Sequence, residues 1–73
     1  MNNYIVEHTR SDFETIKGDY TITRGENIKQ VAEKICSTLK ANYDCDFYYN
    51  CIDDRQAKCG NNYGDEVTIT YID

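Results

Sequence analysis

The chain has 73 residues, of which 40% are hydrophobic, 12% aromatic and 29% charged, and it contains no proline. This length allows one domain, spanning residues 1–73, with a small core and little room for a closed catalytic cleft. The net charge of −5 and the pI of about 4.6 argue against direct binding to nucleic acid or to an anionic membrane, because both require a basic face.

Two features of the chain bear on its compartment. The N-terminus, Met-Asn-Asn-Tyr-Ile-Val-Glu-His, lacks the basic and apolar regions of a signal peptide. No apolar stretch approaches the ~18 residues of a membrane span. We therefore expect a cytoplasmic protein that does not associate with membranes.

The first third of the chain contains two predicted strands. Tyr4–Val6 is a short apolar stretch, and Tyr20–Thr23 alternates apolar and polar residues, as strands do. Between them lies Ser11–Glu14, which fits either a capping box that opens one helical turn ending at Gly18 or an arm of a hairpin. The sequence leaves these two alternatives open.

The clearest element is an amphipathic helix predicted over about residues 25–42. Thr23 and Glu26 have the spacing of a capping box, and Asn42 is a plausible helix stop because Asn tolerates the left-handed conformation. One stripe of the helix is apolar at three- and four-residue steps, and it comprises Ile28, Val31, Ala32, Ile35, Cys36 and Leu39.

Two further strands are predicted after the helix, over Cys45–Ile52 and Glu66–Ile72, because both are rich in aromatic or branched residues. Alternation in the second strand directs Val67, Ile69 and Tyr71 to one face and the threonines to the other. In the first strand it makes core candidates of Cys45, Phe47, Tyr49 and Cys51, and surface candidates of Asp46 and Tyr48. The glycine-containing segment 53–65 between them is predicted to be a long loop, and such loops are often functional or mobile.

The predicted order is therefore β-β-α-β-β. It indicates an α+β fold in which the helix at about 25–42 packs on one face of an antiparallel sheet of three to four strands. The opposite face of the sheet is then left to solvent or to a partner.

The charge is unevenly distributed along the chain. Residues 1–43 hold six acidic and six basic groups, whereas residues 44–73 hold seven acidic groups and only Arg55 and Lys58. The whole net charge thus lies in the last two predicted strands and the loop between them, and such asymmetry points to a basic partner. Tyrosines interleave with these carboxylates, and tyrosine is favoured at interfaces.

These observations predict a partner-binding surface composed of Asp44, Asp46, Tyr48, Tyr49, Asp53, Asp54, Tyr63, Asp65 and Glu66. The alternative interpretation is that each of these residues belongs to an ordinary solvated surface. The expected partner is the basic surface of a nucleic-acid-binding protein or nuclease complex. The protein itself would be a monomer or a homodimer.

Cys36, Cys45, Cys51 and Cys59 are even in number, which raises disulfide and zinc hypotheses. No Cys-x-x-Cys pair exists, since five residues separate Cys45 from Cys51 and seven separate Cys51 from Cys59. Structural zinc sites usually begin with such a close pair, and cytosolic thiols are normally reduced. We therefore predict free thiols and no metal, with a secreted disulfide-stabilised mini-protein as the alternative.

No catalytic motif is present in the sequence. The only histidine, His8, has no evident partner, and the chain lacks a phosphate-binding loop, a nucleophile elbow and metal-ligand spacing. The adjacent carboxylates of Asp53 and Asp54 are common in turns and do not imply acid–base geometry. We therefore predict a protein that is not an enzyme and that uses no cofactor.

In general character the chain resembles the small acidic proteins that phages and mobile elements use against host defences, of which anti-CRISPR proteins are the best-known group. The resemblance rests on the short single domain, the net charge of −5, the β-β-α-β-β pattern and the acidic residues from Asp44 to Glu66. It implies an inhibitor, located in the host cytosol, whose acidic surface occupies a basic nucleic-acid-binding site. Other members of the group block assembly or cleavage at other sites, so docking by shape, through a sheet edge or face, is the alternative.

Overall fold

The computed structural model describes residues 1–10 and 21–73 of the chain. These residues form an antiparallel sheet of five strands in the order β2-β1-β5-β4-β3, with one helix packed on it. In chain order the elements are β1 Asn2–Arg10, β2 Thr21–Gly25, α1 Ile28–Tyr43, β3 Tyr48–Cys51, β4 Gln56–Gly60 and β5 Glu66–Tyr71. The predicted α+β class and two-layer arrangement are confirmed, but the sheet has five strands, not three to four. The two alternatives for Ser11–Glu14 lie outside the described residues.

The additional strand is β4, which lies inside the segment predicted to be one long loop. That prediction was wrong because Gln-Ala-Lys-Cys-Gly contains no β-branched or aromatic residue, which are the types that mark strands. Pairing with β3 on one side and β5 on the other supplies what local propensity lacks. Ala57 and Cys59 are fully buried against the helix layer.

The helix starts later than predicted. Thr23 belongs to β2, where it pairs with Tyr4, so the predicted Thr23–Glu26 capping box does not form. The N-cap is Asn27, whose side-chain oxygen accepts a 2.8 Å hydrogen bond from the Gln30 N–H. The Gln30 side chain in turn accepts a 2.8 Å bond from the Glu26 N–H, so the N–H of Gln30 in the first turn and the N–H of Glu26 just before the helix are both satisfied.

The helix also ends later than predicted, at Tyr43 and not at Asn42. Asp44 adopts the left-handed conformation (φ 51°), and its N–H donates a 3.0 Å hydrogen bond to the Lys40 carbonyl. Aspartate tolerates this conformation because its short polar side chain can bond locally. Residues 45–47 then connect the helix to the sheet, which is why β3 is shorter than the predicted Cys45–Ile52 strand.

The core lies between the apolar stripe of α1 and the helix-facing side of the sheet. The predicted stripe is confirmed: four of its members are buried, and Ile35 and Leu39 pack against the core. Gly25 allows this layer to approach β2 closely, since a Cβ there would collide with Cγ2 of Val31. Among the described residues, the buried apolar side chains are Tyr4, Val6, Ile28, Val31, Ala32, Cys36, Phe47, Ala57, Cys59, Val67 and Ile69. In the described part of the chain, α1 is too short and too polar to be a membrane span, and no other helix is a candidate.

Candidate functional site

Among the residues that the structure describes, strand β3 forms one edge of the sheet, and only one side of its backbone is paired with another described strand. The Ile52 N–H donates a 2.9 Å hydrogen bond to the Gln56 carbonyl. Because hydrogen-bonded pairs alternate along an antiparallel ladder, Asn50 and Tyr48 also bond towards β4. The N–H and C=O groups of Tyr49 and Cys51 therefore point outward, away from the sheet.

Acidic residues lie at both ends of this strand along the chain. Asp44 and Asp46 lie just before β3, and Asp53 and Asp54 lie just after it. All four residues are exposed. The four extended residues between them separate the two flanks by at least ~13 Å. We call β3 together with these four aspartates the acidic edge.

The nearby basic groups leave most of this charge uncompensated. The guanidinium of Arg55 lies over the ring of Tyr71, 5.3 Å from its centroid, and Lys58 pairs with Glu66 at 3.7 Å. Lys40 approaches Asp46 at 4.0 Å, with both side chains at least half exposed, a geometry worth little in water. Within the described residues, Asp44, Asp53 and Asp54 form no ion pair.

The structure brings one predicted tyrosine beside the first flank. Asp44, Asp46 and Tyr63 line a shallow depression of about 250 Å³ together with Cys45 and Asn62. Tyr63 is 54% exposed, and its ring therefore offers apolar area next to two carboxylates.

The second flank lies at the opposite end of β3. Asp53 shapes the turn into β4, because its carboxylate accepts a 2.7 Å hydrogen bond from the Arg55 N–H. Asp54 borders an open groove of about 330 Å³ whose lining includes Tyr4, Arg55 and Tyr71 and the start of α1. The carboxylates that the sequence predicted as one surface therefore form two groups, joined by β3.

The two tyrosines of β3 face opposite sides of the sheet. Tyr48 is 56% exposed on the side away from the helix, as the alternation predicted. Tyr49 lies on the helix side, where its hydroxyl donates a 2.9 Å hydrogen bond to the Glu33 carboxylate. This bond raises the pKa of the Tyr49 hydroxyl above 10.0, with smaller contributions from desolvation and from the charge of Glu33.

Two of the predicted binding residues have other roles. Asp65 is buried at 1% exposure and accepts a 2.9 Å hydrogen bond from the side-chain amide of Asn61, so it belongs to the β4–β5 turn. Glu66 begins β5, where its carboxylate pairs with Lys58. Neither adjoins β3 in the chain.

All four cysteines are free thiols, and only part of the predicted core face of the 45–52 segment is buried. Cys36 and Cys59 are buried, Cys45 is half-buried beside the core and Cys51 is exposed. The Cys36 thiol donates a 3.0 Å hydrogen bond to the Phe47 carbonyl. Burial raises the pKa of the Cys59 thiol to about 12, and burial also raises the pKa of Cys36.

The described residues contain no group of three or more His, Cys, Asp or Glu side chains that is placed to hold a metal ion. In the groove beside Asp54, the Asn2 amide donates a 3.2 Å hydrogen bond to the Glu26 carbonyl. Arg55 is occupied there by the Tyr71 ring. Both contacts hold parts of the fold together, and neither of them pairs a nucleophile with a base.

The structure adds one position that the sequence did not single out, the outward-facing backbone of Cys51. Strand order determines which strand is an edge, and strand order depends on long-range pairing that local patterns do not encode. The only local signal was the set of charges around the strand, which is typical of edge strands. Comparison with known protein families, with curated proteins and with solved structures gives no match to this chain.

Proposed function

We propose that this protein is a non-catalytic inhibitor that covers the basic nucleic-acid-binding site of another protein with its acidic edge. The observation that carries the proposal is the arrangement of four exposed aspartates around an edge strand, with the basic residues of that half of the chain occupied elsewhere. The two groups of carboxylates stand at least ~13 Å apart along an extended backbone.

The chemistry of such a partner follows from the charges. Sites that hold a nucleic-acid backbone present Lys and Arg to successive phosphates. Carboxylates accept hydrogen bonds from the same groups, and Arg binds them in a bidentate manner. Tyr48 and Tyr63, both more than half exposed, add apolar contact area that carboxylates alone lack.

The resemblance to small acidic proteins that act against host defences supports the choice of partner within this class. A short chain that binds without chemistry of its own is sufficient for a phage or mobile element to block a host nuclease. In that setting the protein acts in the host cytosol, and its target is a nucleic-acid-handling defence complex of the anti-CRISPR type.

The first test identifies the partner. A tagged protein is incubated with nuclease-treated lysate of the native host and washed at low salt and at roughly half-molar salt, where the Debye length is ~4–5 Å. We expect a nucleic-acid-binding protein that is retained at low salt and released at high salt. Capture of proteins without basic binding sites, or of none, would contradict the proposal.

The second test localises the interaction. The double variant Asp46→Lys with Asp54→Lys reverses one exposed charge on each flank and should weaken binding to the captured partner more than tenfold. The matched control, Glu7→Lys with Asp73→Lys, changes the net charge equally but lies outside the acidic edge and outside the residues that line the groove beside Asp54. Equal losses in the two variants would mean that only overall charge matters, and the acidic edge would not be the site.

A further inference from the structure

We infer that the acidic edge binds an extended basic segment of its partner as an additional strand, paired with β3. The inference rests on the proposed function and specifies how the site makes contact. It starts from the backbone, because the N–H and C=O groups of Tyr49 and Cys51 point away from β4, as the ladder bond from Ile52 to Gln56 requires. An unpaired edge of this kind is a template for a further strand.

The occupant follows from the charges at the two ends of the strand. A segment lying along β3 would run between Asp44 and Asp46, which precede the strand in the chain, and Asp53 and Asp54, which follow it. Lys or Arg at both ends of the segment would pair with these carboxylates, and opposite charges across neighbouring strands are stabilising. The middle of the segment faces Tyr49 and Cys51 and needs no charge.

A second copy of this chain fits the same edge poorly. An antiparallel pairing of two copies along β3 would bring the aspartates that precede the strand in one copy towards the aspartates that follow it in the other. Like charges placed directly opposite destabilise strand pairs. The acidic flanks thus oppose self-pairing at this edge while favouring a basic strand.

The edge is also held in a fixed conformation before any partner arrives. The hydroxyl of Tyr49 is bonded to Glu33 on the helix, and the buried Phe47 anchors the chain just before β3. A strand that is already extended loses little conformational freedom when a second strand pairs with it.

The test uses a defined probe, the acetylated and amidated peptide Lys-Arg-Val-Thr-Val-Arg-Lys. Binding is followed at low salt by NMR of the labelled protein. We expect amide exchange at Tyr49 and Cys51 to slow by about tenfold when nine-tenths of the protein is occupied. The same peptide N-methylated at every internal amide keeps its charges but cannot form a ladder, and it should bind at least about tenfold more weakly.

A pair of protein variants isolates the backbone contribution. Cys51→Pro removes an outward N–H and leaves the ladder to β4 intact, which is the position in an edge strand that tolerates proline. We expect it to weaken peptide binding about three- to tenfold, whereas Cys51→Val should bind like the native protein. Chemical shifts of β4 and β5 residues confirm that both variants fold.

The possible failures are distinguishable. If the N-methylated peptide or the Cys51→Pro protein binds as tightly as its control, charge alone holds the segment; strand pairing is then wrong, and the proposed function stands. If neither peptide binds at millimolar concentration, strand pairing with a basic segment is likewise overturned. If Asp46→Lys with Asp54→Lys leaves partner binding unchanged, the proposed function itself fails.

Discussion

The hydroxyl of Tyr49 donates a hydrogen bond to the carboxylate of Glu33 and thereby joins the edge strand β3 to the outer face of helix α1. The bond links the two layers at the border of the sheet, where β3 has one neighbouring strand, β4, among the described residues. It also shows that the hydroxyl of Tyr49, one of the predicted binding residues, already makes a hydrogen bond within the fold.

This bond gives Tyr49 a distinctive titration. Because the Tyr49 hydroxyl donates this bond to a carboxylate, the pKa of Tyr49 lies above 10.0. The bond therefore stabilises the folded state below pH 10, and this stabilisation is lost as the pH rises through the raised pKa. We expect the ¹³Cζ signal that disappears in Tyr49→Phe to titrate above pH 10 in the native protein. In Glu33→Gln the same signal should titrate at lower pH; an unchanged titration would contradict the bond.

Asn61 should be important for stability although it lies in a turn. Its side-chain oxygen accepts 3.0 Å hydrogen bonds from the N–H groups of Tyr63 and Asp65, and its amide donates to the buried Asp65 carboxylate. Removing these bonds in Asn61→Ala should cost about 1–3 kcal/mol of unfolding free energy, measured by urea denaturation. Asn62→Ala, at the exposed neighbouring position, should cost much less, and similar losses would argue against this role.

Helix α1 packs closely on β4 through small residues. Ala32, Ala57 and Cys59 have no exposed surface, and the Cys59 thiol lies 3.7 Å from the Ala32 carbonyl oxygen. Ala32→Leu should therefore overpack the core and cost about 1–3 kcal/mol. Ala41→Leu makes the same change at an exposed helix position and serves as the control; equal stability of the two variants would contradict the close packing.

The cysteines should differ in reactivity. At pH 8, Ellman's reagent should react first with the exposed Cys51, whereas Cys36 and Cys59 should be protected by burial and by their raised pKa values, about 12 for Cys59. In denaturant without reductant, four thiols should react. Fewer than four would indicate disulfides and would favour the secreted mini-protein that the sequence left open.

The sequence predicted those features that depend on local periodicity. The apolar stripe of α1 and the alternation of Val67, Ile69 and the threonines in β5 specified the helix, the last strand and much of the core. The start of the helix was less predictable, because Thr23 and Asn27 are both acceptable N-cap residues. The pairing of Thr23 with Tyr4 places Thr23 in β2 and leaves Asn27 as the cap.

For the candidate site, the sequence predicted which residues are candidates but not how they are arranged in space. The net charge can be located in residues 44–73 from the sequence alone, but the division of the acidic residues into two groups depends on β3 lying at the edge and β4 beside it. The burial of Asp65 could not be foreseen either, because Asp65 lies at the turn between β4 and β5, where it accepts a hydrogen bond from Asn61, and β4 was not predicted.

The most direct test of the central claim is a competition measurement with the captured partner and its nucleic acid. Binding of the native protein and of Asp46→Lys with Asp54→Lys is followed by mobility shift and by association rates over a range of salt concentrations. We predict that the native protein displaces the nucleic acid and that its association slows steeply as salt rises. The variant should not displace the nucleic acid, and its association should not depend steeply on salt. A complex in which protein and nucleic acid bind the partner together, formed at a rate independent of salt, would contradict the account.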